Sequence, residues 1–257
     1  MTDFSVVDST DAEMQQMLAD SAKRWAERAC TLEQRATASD HATGCPPERW
    51  RELAELGWLG IALPEADGGL GAGLPELCLL AEQLGRALLV EPFVACAALA
   101  SGLMDHIAEG SLRKAWLPAL ASGNRRVAWA AWEPDGGAML SQPSVRATRQ
   151  GNSWQLSGAK GLTPGAGGAD ALLVTAQFAN DATRLGLFLL EANAHGLALN
   201  NQRLYDGRHA AELRLEEAAG MLLKEGPAED MLAMLNQALD RGRVAHCAET
   251  LGTAQAA

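Results

Sequence analysis

The sequence predicts an α+β protein in three parts: an N-terminal α-helical domain over 1–122, a middle antiparallel β-barrel or sandwich over 123–225, and one residual C-terminal helix over 226–257. Three observations predict it. Up to about residue 121 the apolar residues recur at intervals of three and four, which puts them on one face of a helix. After Gly123 and Asn124 the texture changes to short apolar or alternating runs bounded by Gly, Asn, Asp and Pro, the pattern of strands joined by turns. From Pro227 the helical period returns through Met231, Leu235, Leu239, Ala245 and Leu251.

Each element has its own signal. From Asp11 to Ser39, Met14, Leu18, Ala22, Trp25, Ala29 and Leu32 predict one long helix. Pro46 and Pro47 open a second at its first turn, where the missing N–H costs nothing, and Trp50, Leu53 and Leu56 carry its face to Gly57. A third spans Leu74 to Leu88, a fourth runs from Pro92 to about His106, and a fifth from Ser111 to Ala121. Strands are predicted at 127–132, 144–148, 153–158, 171–178, 184–190 and 211–215. Trp25, Trp50 and Trp58, at helical spacing, are expected in the core. The C-terminal helix reaches Ala257 with no Gly, Pro or cationic last turn, so it reads as a helix cut before its end, with an apolar stripe that needs partners from the other domains or another subunit.

Composition bounds the function. The chain has 257 residues, 48% hydrophobic and 21% charged, which excludes disorder as the main state. The formal net charge is −11, and residues 1–122 carry 9 bases against 18 acids. Such a balance argues against a nucleic-acid partner, because phosphate binding needs a basic surface. Five cysteines, none in CxxC spacing, suit reduced thiols in a cytoplasmic protein. No apolar run approaches the about 18 residues of a membrane span, and the acidic N-terminus lacks the bases of a signal peptide. HExxH, GxSxG, Walker and GxGxxG motifs are absent, and the scattered histidines give no metal-ligand spacing. The Gly-rich run 67–73 reads as a tight loop between helices.

Three motifs then stand in a telling order: LAELGWLGIALPEADGGLG at 53–71, WAAWEPDGG at 129–137 and GAKGLTPGAGGAD at 158–170. Together they resemble the acyl-CoA dehydrogenases, whose corresponding motifs read LGxxGxxxPEexGGxG, xxxTEPxxGSD and GxKxWITNGxxAD. LYDGRHAAELRLEEA resembles the strands closing that family's β domain, and LDRGRVAHCAETLGTAQAA the first helix of its C-terminal domain. LAEQLGRALLVEPF is similar to a divergent bacterial branch that includes steroid degraders.

The resemblance implies FAD-dependent α,β-dehydrogenation of an acyl-CoA thioester, with an electron-transferring flavoprotein as electron acceptor and a homo- or hetero-oligomeric assembly. By register it implies flavin contacts at Trp129, Ala131, Trp132, Leu162 and Pro164, and substrate contacts at Ala138 and Arg243. Departures accompany the match: Leu162 replaces the Trp that packs on the flavin, Pro164 a Thr that bonds to it, and Trp132 another Thr. Main-chain N–H groups at Ala131 and Trp132 remain as donors to the pyrimidine edge. No residue is assigned as catalytic base, so the chain is expected to be inactive alone, either as part of an enzyme or as a noncatalytic subunit of a heteromer. Trp129 and Trp132 fit either flavin contact or an alternating strand. Arg125 and Arg126 read as a solvated strand start, with contact to a CoA phosphate as the alternative; Asp240 and Arg243 read as a local ion pair, with a place near the active-site floor also open.

Overall fold

The computed structural model describes residues 9–135, 140–151 and 153–257. The first apolar repeat forms two helices where the spacing predicts one: α1 (Ser9–Ala29) and α2 (Leu32–Asp40). Thr31 makes the break. Its hydroxyl accepts from the Gln34 N–H and the Gln34 side chain accepts from the Thr31 N–H, a capping box that satisfies the start of α2 more locally than a continuous helix would. Helices α3 (Pro47–Glu55) and α4 (Leu74–Arg86) follow their prolines as predicted. The fourth predicted helix begins as a π-helical segment, Phe93–Ala100, and continues as α5 (Ser101–Ile107); α6 spans Gly110–Ala121. Trp25, Trp50 and Trp58 are buried, and Trp25 meets Trp58 edge-on at 5.2 Å.

Seven strands follow: β1 (Val127–Ala130), β2 (Arg146–Gln150), β3 (Ser153–Pro164), β4 (Ala171–Phe178), β5 (Asp181–Glu191), β6 (Leu197–Arg203) and β7 (His209–Pro227). β4, β2, β3, β7 and β5 pair in that order and β5 pairs back onto β4, closing a barrel; β1 joins along β4 and β6 along β7. The β1–β4 and β2–β4 pairings are parallel and the others antiparallel, so the sheet is mixed rather than wholly antiparallel. β1 can run parallel to β4 because the whole β2–β3 hairpin lies between them in sequence, long enough for a crossover. β6 escapes a sequence reading because Leu197, Leu199 and Gln202 are only half-buried, which leaves little hydrophobic alternation.

Helix α7 (Ala228–Ala256) returns to the N-terminal helices. Its crossing with α4 is a backbone-to-backbone contact: a Cβ on Gly85 would sit 2.0 Å from the Glu249 carbonyl oxygen, and one on Gly252 1.9 Å from that of Glu82. Only glycine lets two helices approach this closely. The Thr253 hydroxyl donates to the Gly85 carbonyl across the same crossing at 3.2 Å. Met231, Leu235 and Leu239 are buried within this chain, so most of the apolar stripe finds its partners here, while Leu251 is 52% exposed.

Candidate functional site

The two central motifs meet through main chain. β1 ends after Ala130 and the chain runs on through Ala131 and Trp132, whose carbonyl accepts from the Gly161 N–H of β3 at 2.8 Å. A Cβ on Gly161 would stand 2.5 Å from the Glu133 carbonyl oxygen, so this position must stay bare for the segments to touch. Glu133 then binds both sides: one carboxylate oxygen accepts from the Ser144 N–H at 2.9 Å, the other is paired with the Lys160 ammonium. Lys160 is 1% exposed, and its pKa is lowered by burial despite the Glu133 carboxylate beside it. The pair holds a strand-end turn; no reacting group is required to explain it.

Beyond this junction lies a cavity of about 360 Å³ between the π-helical segment, the end of β1, the β6–β7 turn and α7. Its walls are apolar, from Val94, Leu99, Trp129, Trp132, Pro164 and Leu239, with Asp206, Arg208, Arg243 and His246 as polar groups. This balance, an apolar pocket with a few convergent polar groups, is that of a small-molecule site. A wider concavity of about 820 Å³ crosses β3, β6 and β7 and gathers none of the expected contact residues that are among the described ones.

Of the seven residues expected at the site, Trp129, Trp132, Pro164 and Arg243 share this one cavity. Leu162 and Ala131 do not line it. Leu162 is 41% exposed, and the β3–β7 register shifts between Lys160 and Thr163, so the strand alternation that would put Leu162 on the face of Pro164 is broken there. The Ala131 N–H donates to the Trp129 carbonyl at 3.0 Å and is not free for a ligand. Ala138 lies outside the described residues. Arg243 donates to Asp240 at 2.6 Å, with both side chains exposed, as one helical turn of separation predicts.

A polar network stands at the α7 side of the cavity. The Glu249 carboxylate, 5% exposed, bonds His246 Nδ1 at 2.9 Å and accepts from Arg208 Nη1 at 3.1 Å; Arg208 also faces Asp206 at 3.5 Å. Burial works to raise the Glu249 carboxyl, but the His246 bond and the Arg208 guanidinium bring it below its ordinary value. The His246 imidazole is raised, chiefly by its bond to Glu249. With Nδ1 engaged by Glu249, Nε2 is the ring nitrogen left for the cavity. The motif reading passed over this network, although the three-residue spacing of His246 and Glu249 on one helix was legible.

The walls fit a flat ring system in part. The buried Trp129 Nε1–H has no hydrogen-bond partner, which favours an acceptor in the cavity, and Trp132 adds a second indole. Pro164 carries no N–H and Ala131's is occupied, so the main-chain donor left for the polar edge of such a ring is Trp132. No described helix is long and apolar enough to cross a membrane, and no metal-binding group of three or more His, Cys, Asp or Glu occurs among the described residues.

An N-terminal helical bundle, a closed β-barrel and a long helix meeting at one tryptophan-walled cavity form an architecture shared with solved acyl-CoA dehydrogenases. Residues 12–124 match the family model of the acyl-CoA dehydrogenase N-terminal domain. In sequence and fold the chain is similar to the acyl-CoA dehydrogenases. It is 34% identical over 157 residues to acyl-CoA dehydrogenase FadE12 of Mycobacterium tuberculosis, covering 59% of this chain and 40% of that protein. The solved steroid acyl-CoA dehydrogenase Tcur3481-Tcur3483, G363A variant, superposes with a TM-score of 0.82 at 31% identity, covering 95% of this chain and 64% of that one. The ChsE4-ChsE5 complex of M. tuberculosis shares the fold, with a TM-score of 0.79 at 24% identity over 95% of this chain and 64% of that one. The chain thus spans less than two thirds of each of these relatives.

Proposed function

We propose that this chain supplies the acyl-facing and flavin-facing walls of an acyl-CoA dehydrogenase site whose reaction is FAD-dependent α,β-dehydrogenation of an acyl-CoA thioester. The observation that carries this reading is the convergence of Trp129, Trp132 and Pro164 with Arg243 around one apolar cavity. A bound flavin would supply acceptance of hydride; the chain's own residues position and exclude water. Trp129, Trp132 and Pro164 would bound the ring, and Arg243 the substrate side. Domain limits at 1–122, 123–225 and 226–257 go with this proposal, as does an assembly of more than one subunit.

The α-proton base is assigned to residues outside this chain. Among the described cavity residues the one carboxylate is Asp206, which faces Arg208 at 3.5 Å. A noncatalytic role within a heteromer is favoured by the loss of several flavin-edge contacts together: an exposed Leu162, an N–H-free Pro164 and an occupied Ala131 N–H.

The purified chain separates these readings. We expect it to carry little flavin in its visible absorbance and to quench added FAD fluorescence only weakly; tight stoichiometric FAD would show that its flavin site is complete. Incubated with a panel of acyl-CoAs and an electron acceptor it should not turn over. Turnover would place a base within these residues.

A further inference from the structure

Arg126 stands where the sequence suggests a solvated strand start, yet it is 6% exposed. Its guanidinium lies 4.1 Å over the Trp50 ring, and Nη2 reaches the Cys45 sulfur at 3.3 Å. Nε and Nη1 are buried without a hydrogen-bond partner. Among the described residues no carboxylate lies within ion-pair distance of this guanidinium. Neither neighbouring acid forms an ion pair with the guanidinium. Asp170 Oδ2 accepts from the Arg126 main-chain N–H at 2.7 Å, and burial pushes the Cys45 thiol up to about 11, so it is neutral at physiological pH. A buried, hydrogen-bond-deficient cation is costly unless something anionic meets it, and an aromatic face offsets only part of that cost.

Arg126 lines a second cavity of about 340 Å³, between the α2–α3 loop, α3, the α6–β1 turn and the start of β4. Exposed Arg51 stands at its rim, and Asn124 contributes an amide whose NH₂ donates to Ser122 Oγ at 2.9 Å. Two guanidiniums and one carboxylate, Asp170, thus face a polar pocket in a chain of net charge −11. Arginine forks match tetrahedral oxyanions in shape and donor geometry.

We propose that this seam pocket binds a phosphate-class oxyanion, held by Arg126 and Arg51, at a site separate from the tryptophan-walled cavity. It is independent of the acyl-CoA reading, because none of its residues lines that cavity. The anion is either free phosphate or the phosphomonoester of a larger ligand.

The test titrates the purified chain with inorganic phosphate at fixed ionic strength, following binding heat and the arginine Nε–H resonances by NMR, with AMP as the second arm. One phosphate per chain should bind and shift the Arg126 Nε–H. Arg126→Met should weaken binding at least about tenfold, the loss of a charge-assisted contact. Arg51→Glu, on the exposed rim, should weaken it severalfold in a normally folded protein, and this decides the matter if Arg126→Met does not fold. AMP binding more tightly than phosphate, with the same Arg126 dependence, identifies a phosphomonoester; phosphate binding alone identifies the free anion. No heat and no Arg126 shift with either ligand, or binding unchanged in Arg51→Glu, would overturn the site.

Discussion

The two halves of α7 differ in how close they come to the rest of the molecule. Its C-terminal half touches α4 backbone to backbone at Gly85 and Gly252, whereas the stretch from Leu239 to His246 meets the π-helical segment through side chains and walls a cavity of about 360 Å³. One helix thus makes backbone contact near one end and borders a cavity at its middle. With no side chain between α4 and α7 at the crossing, backbone contact clamps the helix axis there. Gly242 marks the transition, since a Cβ there would meet Leu99 at 2.8 Å, close but against a side chain that can move.

The strongest way to break this arrangement is to fill the clamp. Gly252→Val is expected to destabilise the fold by more than about 3 kcal/mol, the upper range for overpacking, because the obstacle is the Glu82 carbonyl and cannot repack. Urea unfolding measures it; a loss under 1 kcal/mol would mean that the helices separate freely. Glu249→Gln comes next. The carboxylate bridges the two halves by accepting from Arg208 while its backbone carbonyl lies in the clamp, and replacing it should cost about 1.5–3 kcal/mol, the range for hydrogen bonds to charged groups.

A smaller effect appears on changing pH. The His246 imidazole is raised in the folded chain, so its contribution to stability is full below its unfolded pKa and fades as pH rises through the folded one. Glu249 is lowered, so its contribution is full above its unfolded pKa and fades as pH falls through the folded one. The network is therefore strongest between about pH 4.3 and 6.5, the ordinary values of the two groups. The stability difference between the native chain and His246→Gln should be largest in that window and shrink above it; a difference flat across pH 5 to 9, roughly the range bracketing the imidazole, would remove the ion pair from the account.

Legibility in the sequence tracked the same contrast between repeated and singular contacts. Helices α3, α4 and α6 were readable because Pro47, Pro75 and a three-to-four apolar repeat announce them, and the order of helices, barrel and helix followed from the change of period at Gly123. The break at Thr31 needed a local capping box to outweigh a continuing apolar stripe. At the site, the motif resemblance pointed to Trp129, Trp132, Pro164 and Arg243, and the fold brings these four to one cavity. Leu162 went astray because it falls within the shift of the β3–β7 register between Lys160 and Thr163, and the Ala131 donor because a two-residue hydrogen bond leaves no trace in residue identity. Burial of Arg126 was invisible for a related reason: Trp50 and Cys45, which cover it, are 76 and 81 positions away.

The smallest expected effect on stability sharpens the comparison most. Arg243 and Asp240 are exposed at 56% and 67%, and such pairs contribute at most a few tenths of a kcal/mol once solvent screens them. Arg243→Ala should leave the thermal midpoint nearly unchanged while removing a cation from the cavity wall, so it separates folding from ligand recognition. Tryptophan fluorescence offers the readout, since Trp129 and Trp132 line the same cavity. Addition of an acyl-CoA should quench the native chain more strongly than Arg243→Ala at equal concentration. If both respond alike, Arg243 does not face the ligand.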